Sequence, residues 1–333
     1  MRASNEQCRV EATAVPSFIS HELTDVLLQA SALPKWNQEY VQISEGAFSG
    51  TLQDLSLGPI QLFRESMDKA VDQHGLPWPD SFAIGVANEM YGDGFWCGDK
   101  LEPDSVLFLK PNSELKFRTP ARSDIFVAVI DMQLLSEYAE TVGELDAARI
   151  TAISGASAAS HELCSAFRAN MGLLFGGVSA NPQALQHDLF RRNLLSETLN
   201  IICAGLTHLS SARPHNPGQL VHRHIVEKAR EFILARHTLP PTVLEVCKQL
   251  RISRRTLHYA FNKVLGISPI SYLRYIRLHG ARQMLLACAP GAQPIFEIAA
   301  HWGFYHSGMF GSYYKQLFGE TPTATLSRRP ARH

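Results

Sequence analysis

The chain has 333 residues, 45% of them hydrophobic and 19% charged, and its 31 basic residues balance 31 acidic ones. This is ordinary globular composition, and the length allows two domains, since single cores seldom grow past ~250–300 residues. No apolar run approaches the ~20 residues of a membrane span, and the opening stretch MRASNEQCRVEATAVPSF lacks the apolar centre of a signal peptide, so a cytoplasmic protein without a membrane partner is expected.

In chain order, about residues 36–130 read as β-rich. GTLQDLSLGPIQLFRES alternates Leu52, Leu55, Leu57, Ile60 and Leu62 about a Gly-Pro turn. SFAIGVAN, SVLFLKPN, LKFRTP and DIFVAVIDM follow as short strands between Gly, Pro, Asn and Asp. Many short strands at such spacing predict a barrel or a sandwich. We expect a barrel-like (cupin-like) sensing or dimerisation domain over residues 1–131.

From Met132 to Leu209 the apolar period turns helical, as in DLFRRNLLSETLNIICAGLTHL, where Leu189, Leu194, Leu195, Leu199 and Ile202 form a stripe. Residues 132–209 are expected to be a helical connector and dimerisation region. SSARPHNPGQ, residues 210–219, reads as a linker, and residues 220–333 as a separate all-α domain. The fold class expected is α+β.

The zero net charge hides an asymmetry. Residues 1–217 hold 15 Lys and Arg against 26 Asp and Glu, a balance of −11, whereas residues 218–333 hold 16 against 5, a balance of +11. Such a split suggests that one half meets a polyanion.

That basic half contains an internal repeat. VLEVCKQLRISRRTLHYAFNKVLGISP aligns with IFEIAAHWGFYHSGMFGSYYKQLFGETP. Val243 and Glu245 match Ile295 and Glu297, while Leu257, Phe261, Leu265, Gly266 and Pro269 match Phe310, Tyr314, Phe318, Gly319 and Pro322. Each copy reads as helix, tight turn and helix, closed by Gly and then Pro. The helix-turn-helix units are expected at about 240–266 and 292–319. Between them SPISYLRYIRLHGARQMLL predicts one long helix opening on Ser-Pro. Its Arg274, Arg277 and Arg282 suit phosphates and internal ion pairs equally.

In the first copy the second helix buries Leu257, Ala260, Phe261, Val264 and Leu265, which leaves Arg255, His258, Tyr259, Asn262 and Lys263 on the opposite face. Ser253 stands at the N-cap, with Arg254 and Arg255 in the first turn. Cations there oppose the helix macrodipole. A helix that enters the major groove N-terminus first wants donors at that end. A plain solvated face is the competing reading, and the second copy and the +11 balance weigh against it.

The last third resembles the AraC/XylS family of bacterial transcription regulators, through SRRTLHYAFNKVLGISPISYLRYIRLHGARQML and PIFEIAAHWGFYHSGMFGSYYKQLFGETP. The whole chain is more distantly similar to the ethanolamine-operon regulator branch. The resemblance implies double-stranded DNA as partner, and base reading by Arg255, His258 and Tyr259 in the first copy and by Ser307, Gly308, Gly311 and Ser312 in the second. It also implies contact with RNA polymerase, homodimers and activation of an operon. The second copy departs from the family in carrying two glycines on its reading face, which leaves phosphate contacts through Lys315, Tyr305 and His306, or reading through close backbone approach.

Enzymatic readings find little support. YGDGFWCG lacks the strand-loop-helix context of a phosphate loop and reads as a hairpin turn. Residues 1–160 hold only His21 and His74, and the six cysteines form no C-x-x-C pair, so no catalytic residue, metal or cofactor is expected. Trp36, Trp78 and Trp96 could frame a small-molecule effector pocket, or simply be core. The alternative to effector control is a protein partner bound through the N-terminal half.

Overall fold

The structure is a computed structural model that describes residues 16–142, 150, 155–158, 161–208, 217–236, 240–288 and 293–327. Its N-terminal half is built on two antiparallel sheets. The larger has seven strands in the order β1 (Ser17–Leu23), β3 (Gly50–Ser56), β4 (Ile60–Met67), β11 (Arg122–Asp131), β6 (Ser81–Tyr91), β9 (Ser105–Leu109) and β12 (Gly155–Ala158). The smaller has five, β2 (Asn37–Gln42), β5 (Val71–Leu76), β10 (Leu115–Arg118), β7 (Phe95–Trp96) and β8 (Asp99–Lys100). The sheets stack but do not close, so the expected barrel is an open sandwich.

Strand β11 shows why the large sheet reads as almost continuously apolar. Ile125, Val127 and Val129 face the small sheet and share a core with Leu52, Phe63, Leu107, Leu115 and Phe117. Phe126, Ala128 and Ile130 point the other way, into a second core with the connector helices. Both faces of the sheet are buried, so period-2 alternation of apolar and polar residues is lost.

The connector comprises α2 (Met132–Val142), α3 (His161–Ala180), a 3-10 turn (Pro182–Gln186) and α4 (Asp188–His208). Leu135, Phe167, Met171, Phe175, Leu199 and Ile202 lie in the same core as the sheet face. Leu194, Leu199 and Ile202 are buried as the stripe predicts, but Leu189 is 72% exposed and lies outside it. A short helix, α1 (Val26–Ala32), capped by the Asp25 carboxylate, precedes β2.

Most of the expected linker, residues 210–216, lies outside the described residues, and a helix, α5 (Pro217–Leu234), has already begun at 217. Then come α6 (Val243–Leu250), α7 (Arg254–Val264), α8 (Pro269–Ala287), α9 (Ile295–His301), α10 (Ser307–Phe318) and α11 (Pro322–Ser327). The first unit, α5 to α7 with the start of α8, packs about Leu257, Phe261 and Tyr272. The second, the rest of α8 with α9 and α10, packs about Leu278, Phe310 and Tyr314.

The two halves are joined through buried polar contacts. Arg282 of α8, 3% exposed, donates from Nε to the Asp25 carboxylate at 2.8 Å and pairs with Glu320 at 2.8 Å. Arg230 of α5 pairs with Asp72 of β5 at 2.6 Å, and the Tyr272 hydroxyl donates to the same carboxylate at 3.1 Å. Gln42 donates to the Leu317 carbonyl at 2.7 Å, and Gly46 N–H to the Gln316 carbonyl at 3.0 Å. Val41, Ile43 and Ala70 of the sandwich belong to the core of the first unit. Removing one partner of a buried ion pair costs ~3–5 kcal/mol, whereas an apolar pair of the same shape can be as stable.

Candidate nucleic-acid interface

Local sequence sets both reading helices. In the first unit Thr242 caps α6 with a reciprocal box, its hydroxyl accepting from Glu245 N–H at 3.3 Å and Thr242 N–H donating to the Glu245 carboxylate at 2.7 Å. The turn that follows passes through Arg251 at φ 54°, a left-handed conformation that the second unit gives to Gly303 at φ 80°. Ser253 then caps α7 by accepting from Thr256 N–H at 3.0 Å.

Arg254, Arg255, His258, Asn262 and Lys263 are exposed on one side of α7, while Leu257, Ala260 and Phe261 are buried on the other. Neither arginine makes an ion pair among the described residues. His258 Nδ1 and Asn262 Nδ2 are 2.9 Å apart, which ties two exposed side chains one turn apart. Tyr259 is 57% exposed, yet its ring lies 4.9 Å from that of His222 on α5, so part of its surface already packs within the domain.

The second unit is arranged alike and furnished differently. On α10, Ser307, Gly308, Ser312 and Lys315 are exposed, Gly311 is half-buried, and Phe310 and Tyr314 fill the core. His306 occupies the N-cap without a side-chain cap bond, and Tyr305 before it is 82% exposed. A Cβ added at Gly308 or Gly311 would meet nothing within 4 Å. Met309, 52% exposed, also stands on this side. A lone methionine at helical spacing looks like core in the sequence, which gives no signal of its exposure.

Helix α8 spans 19 residues, with Ser268 accepting from Ser271 N–H at its N-cap and Pro269 as its first residue. That is ~28 Å of rod at ~1.5 Å per residue. Its arginines are structural. Arg282 is the buried pair described above, Arg277 donates to the Pro240 carbonyl at 3.3 Å, and the Arg274 guanidinium stacks 4.2 Å from the Tyr313 ring centroid. The sandwich meets both reading helices at their C-terminal ends. Arg118 lies against Gly266 after α7, and Ala47 lies against Gly319 after α10. The N-terminal turns of α7 and α10 remain in solvent.

Trp96 is 3% exposed, donates its indole N–H to the Phe108 carbonyl at 3.0 Å and lies in the inter-sheet core. Trp36 and Trp78 pack against the same core. The tryptophans expected to frame an effector pocket, or to be core, pack in or against this core, and none lines the groove described below. The YGDGFWCG stretch is a hairpin whose two turn residues, Cys97 and Gly98, both have positive φ. Its tip presses on Arg223 of α5, where a Cβ at Gly98 would come within 2.5 Å. Among the described residues no cluster of three or more His, Cys, Asp or Glu could hold a metal, and no helix is long and apolar enough to cross a membrane. The described cysteines are all free thiols, and Cys8 lies outside the described residues.

Two helix-turn-helix units on one rigid helix, each presenting a solvent-facing second helix, define a double helix-turn-helix DNA-binding domain. A helix-turn-helix domain family matches residues 246–328. The probable thc operon regulatory protein of Rhodococcus erythropolis is 36% identical over 37% of this chain and 36% of its own length. An XylDLEGF operon transcriptional activator of Pseudomonas putida is 28% identical over 38% of this chain and 81% of its own. The crystal structure of a probable AraC family transcriptional regulator from Rhodopseudomonas palustris is 33% identical, covering 32% of this chain and 99% of that one, with a TM-score of 0.29. Against the thc operon protein and the regulatory protein HrpB of Ralstonia nicotianae, the chain spans about a third of the relative's length. Through this domain the chain is similar to transcription regulators of the AraC/XylS kind, which are DNA-binding proteins.

Proposed function

We propose that the chain activates transcription of a bacterial operon from within the cytoplasm. Residues 220–333 bind the operator and engage RNA polymerase, and the N-terminal half governs them in response to a small molecule. The observation that carries this is the N-terminal turn of α7, where Arg254 and Arg255 stand exposed, with no ion pair among the described residues, against the helix dipole. Phosphate and guanine supply the charge and the acceptors such a turn lacks.

The two units divide the task. Arg255, His258, Tyr259 and Asn262, with Ser253, Arg254 and Lys263 beside them, offer side chains long enough to reach base edges. Ser307, Gly308, Gly311 and Ser312 do not, so the second unit holds backbone through Lys315, Tyr305 and His306. Selection of DNA from a random pool by the full chain tests this. We expect a site of two halves about one helical turn, ~10 bp, apart, with one half tightly constrained and the other tolerant. Equal constraint on both halves contradicts the division, and failure to enrich any sequence contradicts the function.

The connector supports a dimer. Phe167, Met171, Leu174 and Val178 of α3 face Phe190 and Leu194 of α4 across an apolar groove of about 430 Å³, and Leu173 beside it is 77% exposed. A second copy with the same groove and the same protruding leucine is a self-complementary occupant, as a two-fold interface requires. Sedimentation should show a dimer that Leu173→Glu converts to monomer. A wild-type monomer at all concentrations removes this element of the proposal.

A further inference from the structure

The second reading helix lacks the long polar side chains that select bases by hydrogen bonds. From Ser307 to Tyr314 no residue of α10 is charged, and its first cation is Lys315. Gly308 and Gly311 have no side chain, and among the described residues nothing lies within 4 Å of a Cβ placed at either. In the first turn Phe310 is buried and Ser307 is short, so the one long side chain that faces solvent is Met309, 52% exposed. We propose that the second unit reads a thymine through its 5-methyl group, and that Met309 is the residue that does so. The inference rests on the reading of the chain as a DNA-binding regulator and adds a specificity-determining residue to it.

Position aims Met309 at DNA. Helix α10 fills its core with Phe310, Tyr314, Leu317 and Phe318, and Met309 is not part of that cluster. Helical side chains lean towards the N-terminus, and that end of a recognition helix is the one that meets base edges. Glycine at 308 and 311 removes two side chains that would hold the helix away from the floor of the groove. The counterpart of Met309 in the first unit is Thr256, whose hydroxyl lies 2.9 Å from that of the Ser253 cap. There the neighbouring Arg255 supplies the reach, and its counterpart in the second unit is Gly308.

The base follows by elimination. A thioether has no hydrogen to donate and is a weak acceptor, so Met309 is a poor partner for the nitrogen and oxygen groups on the base edges. The one apolar feature in the major groove is the thymine methyl group. An unbranched, flexible side chain adapts to cover it. Single exposed apolar side chains are ordinary on protein surfaces. This one stands in the turn that enters the groove, where a contact with DNA removes it from water. The second half of the site is then tolerant at most positions and constrained at a thymine.

The test uses the full chain and the site that it selects from a random DNA pool. Replacing the thymines of the tolerant half one at a time by deoxyuridine removes the methyl group alone. At the contacted position affinity should fall about fourfold, the worth of one buried methyl group. A C·G pair placed there should bind more tightly when its cytosine carries a 5-methyl group. Met309→Ala should bind the thymine and deoxyuridine sites equally, while Met309→Leu keeps the difference. The residue is exposed and alanine favours helix, so the alanine variant folds. Arg255→Ala should weaken the site and leave the ratio of thymine to deoxyuridine affinities unchanged. A tolerant half without a preferred thymine, equal affinity for thymine and deoxyuridine throughout it, or a difference that survives Met309→Ala overturns the inference and leaves the regulator reading intact. Selection of no sequence at all overturns that reading, and the inference with it.

Discussion

Two glycines in the reading domain carry opposite demands. Gly280 of α8 has the Trp302 ring pressed onto it, and a Cβ there would come within 2.1 Å of that ring. Gly311 of α10 faces open space. Alanine at 280 should therefore cost ~1–3 kcal/mol by overpacking, whereas alanine at 311 should stabilise by ~0.5–1 kcal/mol through helix propensity. Denaturant unfolding of the two variants checks both signs. Nothing among the described residues would meet a Cβ at 311, and we propose that glycine there serves close approach of backbone to DNA. Gly311→Ala should gain stability and lose DNA affinity together, and a gain in stability with unchanged affinity would remove that role. Sequence alone shows the helix penalty at 311 but not the packing at 280, because the Trp302 contact crosses between helices.

At the scale of elements, β3 and β4 bury a carboxyl that sets a pH dependence. Asp54 is 1% exposed, and burial raises its pKa from 3.8 to about 6, against the hydrogen bond from Gln61 and the charge of Lys35. A raised folded-state pKa means stability that is complete below the unfolded value near 4 and is lost as pH rises through about 6. Asp54→Asn keeps an acceptor for Gln61 and cannot ionise. It should exceed the wild type in stability by ~1–3 kcal/mol at pH 7.5, a margin that shrinks as pH falls from 7 towards 4. A margin independent of pH would show that Asp54 is not the titrating group. The helices of the reading domain were legible element by element, because caps such as Thr242, Ser253 and Ser268 and the repeated stripe act within a few residues. The sandwich was legible only as strands. Short apolar runs show that a strand is buried, but not which strands pair or that β1, β12, β2 and β8 remain edges.

Across the whole molecule, the −11 and +11 balances have two destinations. Part of the basic charge meets the acidic half of the same chain, where Arg282 pairs with Asp25, Arg230 with Asp72 and Arg223 with Asp99. Charge counting cannot separate these from DNA-binding residues, since Arg282 and Arg255 look equally available in sequence. Burial separates them, because Arg282 is 3% exposed and Arg255 stands in solvent. The candidate reading face was thus visible from helical period, while the docked seam behind it was not. That seam depends on contacts between residues far apart in the chain, such as Gln42 with Leu317.

The exposed basic residues of α7 and α10, and not the buried arginines, are the ones proposed to hold DNA. The most direct test is the affinity of the full chain for its selected site and for random DNA, as a function of salt. Affinity should fall steeply as salt rises. Lys315→Ala should weaken both DNAs alike and reduce the magnitude of the log–log slope by about 1. Arg255→Ala should weaken the selected site by ~1–3 kcal/mol more than random DNA. Salt-independent affinity, or wild-type affinity and slope in both variants, would contradict the account.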